Sequence, residues 1–547
     1  MIDYAAMLEL VRRDDDGLLL LVNLTVIATL IVLYLIGKHR RWLTTLERFG
    51  PVVLPITTFV VYPALGIPAA VCAWCSTRFQ LPRRIHPLAF ILLIGLLLRL
   101  PLLNDSLWFD ESFTATLVNL PVSQIPAAIL SDVHPPLYYA LLWVWVQIAG
   151  SSPLALRLPS LLLSLVSIYL VYRLALGLKL TRSAALWAAA LAATLPAALF
   201  YSGEARPYAL LTVLVLLGMV SVLEKRVWDF AFVMLALPLT HNIGYLYMGA
   251  LALGCFILNW SDKRRWLLPV LIGGLAGLTW LPGFLIQSRY VQDGFWAYIS
   301  AGAIVRPLFK MTVGIIGEPY SLQLVVPASA ITVASLWALR SWLKTAQGAL
   351  WLLVVFVPLL LVAAASVLWR PVFVFRHFLP AVLILASIAW GYALSRSRLA
   401  VQVMASVIAL SLIAFFAVGL SSARPDYRLL LQEYCPDADR FYATSITSAF
   451  ITSANDERPT LTWPGAQDNG LTITQDVLPN FNIRTGDLSD LQGETVCIMQ
   501  IDRPETQQSE RAYLAILKQL YPVRTSVFHI SYLNDLYFHI LGLEVEG

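Results

Sequence analysis

Charge is what this sequence has least of. Asp, Glu, Lys and Arg make up 13% of its 547 residues, while 59% are hydrophobic; an average soluble domain carries about 25% charge. A mean hydropathy of +0.73 excludes an ordinary soluble globule and leaves a polytopic membrane protein. The net charge of +5 sits in short loops with no basic arm, which excludes an electrostatic nucleic-acid binder. Cysteine is scarce too. Five residues are too few for a disulfide scaffold, and Cys72-Ala-Trp-Cys75 lies in an apolar run without a second ligand pair, which argues against a zinc or redox site. Cys435 and Cys497, the two in the polar C-terminal region, can pair if that region faces an oxidising compartment. No small-residue cleavage site follows the apolar run 18–37, which is too long for a signal h-region, so it is expected to stay as an anchor.

What the sequence has instead is a succession of apolar runs of about 20 residues, the length a bilayer requires. Runs 18–37 and 51–74 come first; the second is broken by prolines and has basic flanks on both sides, so the orientation of this pair stays open. From Pro87 on, the expected spans are 88–103, 157–178, 184–201, 207–223, 230–241 with 243–260, 267–286, 322–339, 350–369, 378–394 and 399–420. Every second connection is basic: Lys179 and Arg182, Lys225 and Arg226, Lys263 to Arg265, Arg340 and Lys344, Arg396 and Arg398. Lys and Arg accumulate in cytoplasmic loops, so the intervening connections are expected outside. The alternation holds only if the aromatic stretch 135–149 does not cross and lies instead at the outer interface, where Trp and Tyr are favoured.

On that register the unusual polar residues fall at one end. Between Asn104 and Val133 stand Asp105, Asp110, Glu111 and Asp132 with no Lys or Arg. Adjacent Asp110 and Glu111 diverge by about 100° on a helix; they read as a cap and first turn for a helix over 112–120, or as a catalytic acid pair. Asp132-Val-His134-Pro135-Pro136 reads as a helix start. In an extended segment it also puts an acid and an imidazole on one side, as an acceptor or metal site requires. Glu204 lies in a tight turn, and Arg206 beside a helix start suits a phosphate, as does Arg376. His241 at a helix end is a hydrogen-bonded histidine or a metal ligand. Ionisable residues at the membrane edge, where topology does not need them, mark function. Gly273-Gly-Leu-Ala-Gly277 reads as close helix packing, since no strand precedes it.

After Ala423 composition turns polar, and a small α/β domain of about 120 residues is expected, with helices at 427–434 and 510–520 and strand-like runs at 495–501 and 525–541.

Trp108-Phe-Asp110-Glu111 after a span, Asp132-Val-His-Pro-Pro-Leu-Tyr-Tyr139, Arg157-Leu-Pro-Ser160, Tyr201-Ser-Gly-Glu-Ala-Arg-Pro-Tyr208 and Arg376-His-Phe-Leu-Pro380 resemble the GT-C membrane glycosyltransferases of glycosyltransferase family 39, the protein O-mannosyltransferase and lipid A aminoarabinose transferase type. The resemblance covers 88–420. It implies a polyprenyl-phosphate-linked sugar donor, transfer on the extracytoplasmic side with inversion, and Asp110 as base. Where the aminoarabinose branch has Glu-Lys-Pro this chain has Val133-His134-Pro135, and the β-trefoil of the mannosyltransferases is not found.

The expected protein is thus an all-α polytopic bundle of GT-C type with about 11–13 spans, outer juxtamembrane helices and a C-terminal extracytoplasmic α/β domain. The expected divisions are 1–86 (anchor segments), 87–423 (catalytic) and 424–547 (outer domain), in the plasma (inner) membrane. The expected function is sugar transfer from a polyprenyl phosphate to an extracytoplasmic lipid, glycan or protein. Asp110, Glu111 and Asp132 are the catalytic candidates, Arg206 and Arg376 the phosphate ligands, and His134, Glu204 and His241 the contacts to acceptor or to a divalent metal ion. The competing expectations are a lipid-linked sugar transporter, which should show paired inverted repeats, and a receptor-like scaffold, which needs neither the acids nor the arginines.

Overall fold

The structure, a computed structural model, describes residues 87–103, 106–290, 332–396 apart from residues 334, 338, 370 and 371, and then 427–462 with short gaps, 484–485, 495–502, 523–531 and 536–544. The expected runs 18–37, 51–74 and 399–420, residues 322–331 of the run 322–339, and the helix at 510–520 lie outside the described residues.

The apolar runs are helices because apolar side chains repeat around their whole circumference, as a lipid-embedded bundle permits. In chain order they are α1 (Pro87–Arg99), α2 (Phe109–Val118), α3 (Ile125–Leu130), α4 (Leu137–Ala149), α5 (Pro153–Gly177), α6 (Arg182–Thr194), α7 (Pro196–Ser202), α8 (Tyr208–Leu223), α9 (Val227–Thr240), α10 (Gly244–Leu258), α11 (Lys263–Tyr290), α12 (Ala346–Leu368) and α13 (Leu379–Leu394). Among the described residues four helical segments are long and apolar enough to cross a membrane, or five if the bent pair α6–α7 is one span.

That pair corrects the single straight run expected over 184–201. Pro196 has no N–H to return to Ala192, so the helix breaks there by 55°. Arg99, fully buried at the end of α1, fills the gap: Nη1 donates to the Ala193 carbonyl at 2.9 Å, Nη2 to that of Ala192 at 3.4 Å, and Nε to Ser164 at 2.9 Å.

Small residues let the helices approach closely. Alanines 184, 185, 188, 189, 192 and 193 are buried on α6, and a side chain at Gly391 of α13 would come within 2.9 Å of the α6 backbone. As expected for the glycine run, Gly273 meets Met234 and Met248 at about the same closeness and Gly277 meets Tyr245.

α4 and α5 form a hairpin. The tip is Gly150, in the left-handed region at φ 77°. Tyr138 lies beside Ser160 (3.3 Å) and the Trp145 indole donates to the Ala155 carbonyl (2.8 Å). The chain therefore leaves the level of Tyr138 and is back at it by Ser160, and α4 does not carry it to the other end.

Helices α5 and α8 finish at that other end. There Arg173 pairs with Glu224 at 2.6 Å and Arg226 with Asp229. Lys179 and Lys225 adopt left-handed conformations (φ 62° and 59°) that close the two helix ends, with Leu180 and Arg226 returning N–H bonds to Ala175 and Ser221.

The C-terminal part is α/β. Helices α14 (Tyr427–Tyr434) and α15 (Ile446–Asn455) pack with a six-stranded sheet of order β3-β2-β1-β4-β6-β5. Strand β1 (Arg440–Ala443) lies parallel to β2 (Thr460–Thr462) and to β4 (Thr495–Asp502), and β3 (Arg484–Thr485) extends that edge. The expected strand over 525–541 is instead two, β5 (Val523–Ser531) and β6 (Leu536–Glu544), an antiparallel hairpin with β6 on β4. Cys435 and Cys497 form a disulfide.

Candidate active site

Helix α2 begins three residues earlier than expected. Trp108, extended, takes the cap position, so Asp110 and Glu111 lie inside the first turn, where a helix favours negative charge. Their divergence separates them. Glu111 turns to α5, where Arg157 donates from Nε to Oε1 at 2.8 Å and from Nη2 to Oε2 at 2.5 Å. The same guanidinium holds the carbonyls of Leu103 and Ser106, and the Ala205 N–H reaches Glu111 Oε1 at 2.9 Å. Glu111 thus ties α2, α5 and the turn before α8 together, with no exposed surface.

Asp110 faces the other way. Its Oδ2 is 3.0 Å from Nη1 of Arg376 and 4.0 Å from Nε of Arg206. Arg206 in turn spans the pocket: Nη1 donates to the Tyr139 hydroxyl at 3.0 Å, to Thr114 at 3.2 Å and to the Asp110 carbonyl at 3.3 Å. Its Nη2 is 2.9 Å from Nδ1 of His134 and 3.9 Å from Oδ1 of Asp132. Asp132 Oδ2 accepts from Tyr139 and lies 2.9 Å from His134 Nδ1. This Asp-x-His pair sits in a bend and not in a strand, yet its side chains meet as expected.

Burial works to raise the Asp132 carboxyl, but its contacts with His134, Arg206 and Tyr139 outweigh burial and hold the group below the usual carboxylate range. Burial, then Arg206, lowers His134 below its ordinary value against the pull of Asp132. His241 is lowered well below its own, by burial and then by His377 and His134. At neutral pH the pocket therefore holds two guanidiniums, an anionic Asp132 and neutral imidazoles. Neutral Nδ1 of His134 serves Asp132 as a donor or Arg206 as an acceptor, one at a time.

His241 closes α9, with its ring 4.8 Å from that of His134 and 4.7 Å from that of His377. Tyr208 stands among them, and Arg376 lies over its ring at 5.7 Å and over that of Trp108 at 5.9 Å. Glu204 is fully buried in the α7–α8 turn, and its charge is felt at Arg376. Among the described residues the Trp108 indole N–H, the Tyr208 hydroxyl and Nε2 of both His134 and His241 are buried without a hydrogen-bond partner. So many idle polar atoms around one pocket mark a place for a polar ligand. The expected metal ion finds no matching donor set. Among the described residues no three acidic, imidazole or thiolate groups converge to hold one, and the Arg206 guanidinium stands beside the Asp132–His134 pair, with Nη2 2.9 Å from His134 Nδ1 and 3.9 Å from Asp132 Oδ1.

Residues 133–286 match the family model described as dolichyl-phosphate-mannose-protein mannosyltransferase. The solved structure of ArnT from Cupriavidus metallidurans in the apo state is similar at 12% identity and a TM-score of 0.50, over 83% of this chain and 97% of that one. This chain has the GT-C fold. The same ArnT bound to undecaprenyl phosphate aligns with a TM-score of 0.47 at 13% identity over 83% and 97% of the two chains. The Archaeoglobus fulgidus oligosaccharyltransferase in its apo form gives 0.40 at 11% over 84% and 74%. No curated protein sequence matches.

Within the GT-C bundle the pocket has supports that the sequence reading did not single out. Gln287 on α11 donates to the carbonyls of Ile129 (2.9 Å) and His134 (3.0 Å), and Asn242 donates to that of Val133 (2.8 Å) and to Gln287 (3.1 Å). These two amides fix the Asp132–His134 bend. Tyr139 and Tyr208 stood inside the quoted motifs, as did Arg157, without being assigned to the site. His377, inside the Arg376-His-Phe-Leu-Pro380 motif, likewise carries no role in the sequence reading.

Proposed function

We propose that this protein is a glycosyltransferase that moves a sugar from a polyprenyl phosphate to an acceptor on the extracytoplasmic face of the plasma membrane. The observation that carries the reading is Asp110 Oδ2 placed 3.0 Å and 4.0 Å from two guanidiniums in a buried polar pocket at one end of a GT-C bundle. The family-model match over 133–286 supports the reaction class.

A carboxylate beside guanidiniums suits displacement of a phosphate. The acceptor hydroxyl or amine gives its proton to Asp110 as its heteroatom bonds to the anomeric carbon. The bond from that carbon to the phosphate oxygen breaks on the opposite face, which inverts the centre. The departing phosphate keeps the electron pair, and Arg206 and Arg376 stabilise its charge. Asp132, held anionic, and neutral His134 anchor Arg206 and orient the acceptor. Glu111 supports the helix that presents Asp110. A prenyl chain can reach the pocket sideways from lipid, a reason for the enzyme to be embedded there.

The basic residues at the ends of α5 and α8, opposite the pocket, support an extracytoplasmic pocket. So does the Cys435–Cys497 disulfide in the domain that covers it. The division of the chain into 1–86, 87–423 and 424–547 follows the same logic.

Asp110→Asn is the test: with a radiolabelled polyprenyl-phosphate sugar, transfer should fall about a hundredfold or more, the scale of a lost general base. Unaltered transfer would reject the assignment.

A further inference from the structure

The segment that delivers Asp110 is gripped from two sides. On the membrane side Arg157 holds the Leu103 and Ser106 carbonyls and the Glu111 carboxylate. On the other side stands the C-terminal domain. The Asn455 side chain, at the end of α15, pairs with both backbone groups of Leu107: the Leu107 N–H donates to Oδ1 at 2.8 Å and Nδ2 donates to the Leu107 carbonyl at 2.7 Å. Nδ2 also donates to the carbonyl of Ile451 at 2.9 Å, which fixes the amide plane to its own helix. The Tyr427 N–H donates to the Ser106 hydroxyl at 2.8 Å. Phe450 meets Phe109 edge-on at 6.1 Å and Phe113 at 5.5 Å.

We propose that Asn455 is a positioning residue for Asp110, and that the C-terminal domain works as the outer jaw of a clamp setting the register of α2. This rests on the reading of Asp110 as the base.

The chemistry is specific to an amide. Leu107 is the residue before Trp108, whose extended backbone starts the helix, so its N–H and carbonyl lie outside the helical ladder, where the Ser112 hydroxyl reaches the carbonyl at 3.2 Å and Asn455 serves both groups. One donor and one acceptor on a single planar group mimic a neighbouring strand. An aspartate of the same size supplies two acceptors and turns one of them against the Leu107 and Ile451 carbonyls. A leucine supplies neither. Leu107 is three residues from Asp110, so a shift in its path moves the carboxylate relative to Arg376 and Arg206. A displacement of about 1 Å at reacting groups costs about a hundredfold in rate.

The test uses the full-length protein in detergent or nanodiscs, with Asn455→Asp and Asn455→Leu, and Phe450→Leu as a milder jaw variant if the first two do not fold. Two quantities are read. One is kcat and donor KM for sugar transfer. The other is amide hydrogen exchange over residues 106–113, which needs no substrate. The expected result is a fall in kcat of about ten- to a hundredfold with donor KM changed less than about twofold, and faster exchange confined to 106–113 and the facing turn of α15. Unchanged exchange in that segment would overturn the clamp, and so would a loss of activity that only tracks the loss of folded protein. If Asp110→Asn still transfers sugar, the base assignment fails, while the exchange data still decide whether Asn455 sets α2.

Discussion

At the scale of single residues, Asp110 and Glu111 show how two neighbouring acids acquire different work. Both sit in the first turn of α2, but Glu111 meets Arg157, 46 residues away, with neither side chain exposed. Removing one member of a buried pair strands the other charge, at a cost of about 3–5 kcal/mol. Glu111→Ala should therefore lower the thermal unfolding temperature and the yield of folded protein strongly. Glu111→Gln, which keeps acceptors for Arg157 and for the Ala205 N–H, should do so less. Thermal scanning of the purified variants in detergent checks this, and Asp110→Asn, whose partner Arg376 is partly exposed, should lower the unfolding temperature less than Glu111→Ala does. The sequence showed that the two carboxylates must diverge, but not which faced the pocket, because a distant arginine decides. Asp132, His134, Arg206 and Arg376 were legible for a simpler reason: ionisable groups at the ends of apolar runs stand out. Gln287, Asn242 and Asn455 were not. They are neutral amides, and their partners are mostly backbone groups, which leave no mark in a sequence.

At the scale of elements, hydropathy located nearly every described helix because lipid demands apolar surface all round. It could not locate the 55° break between α6 and α7, whose cause is local (Pro196) and whose remedy, Arg99, is on another helix. The segment after the break leads into the turn carrying Glu204 and Arg206. Arg99→Leu should leave buried carbonyls short of a donor, at about 1–3 kcal/mol for each unsatisfied group. Its expected signature is a lower unfolding temperature together with weakened donor binding, read by thermal scanning and by donor KM. The strand expected over 525–541 read through Asn534-Asp535, two turn-forming residues that fall between β5 and β6, because the strand formers on either side dominate the run.

At the scale of the whole molecule, polar chemistry gathers at one end and basic residues at the other, and the disulfide lies in the domain beyond the polar end. With Cys72→Ala and Cys75→Ala in place, a membrane-impermeant thiol reagent applied outside intact cells should label the protein only after reduction, at Cys435 and Cys497. Labelling only after the membrane is opened contradicts the proposed sidedness, and labelling without reductant contradicts the Cys435–Cys497 disulfide. Cys255, within the apolar helix α10 of the bundle, should stay silent throughout. The hairpin of α4 and α5 bears on the same map. The 13 residues of α4 lead out and α5 leads back; on the proposed topology they add a hydropathy peak but no traversal, so a count of peaks is off by one beyond Gly150. Such a count would turn every later loop inside out and assign Arg206 and Arg376 to opposite compartments from Asp110. The parity of the entire polypeptide hangs on one glycine-tipped detour.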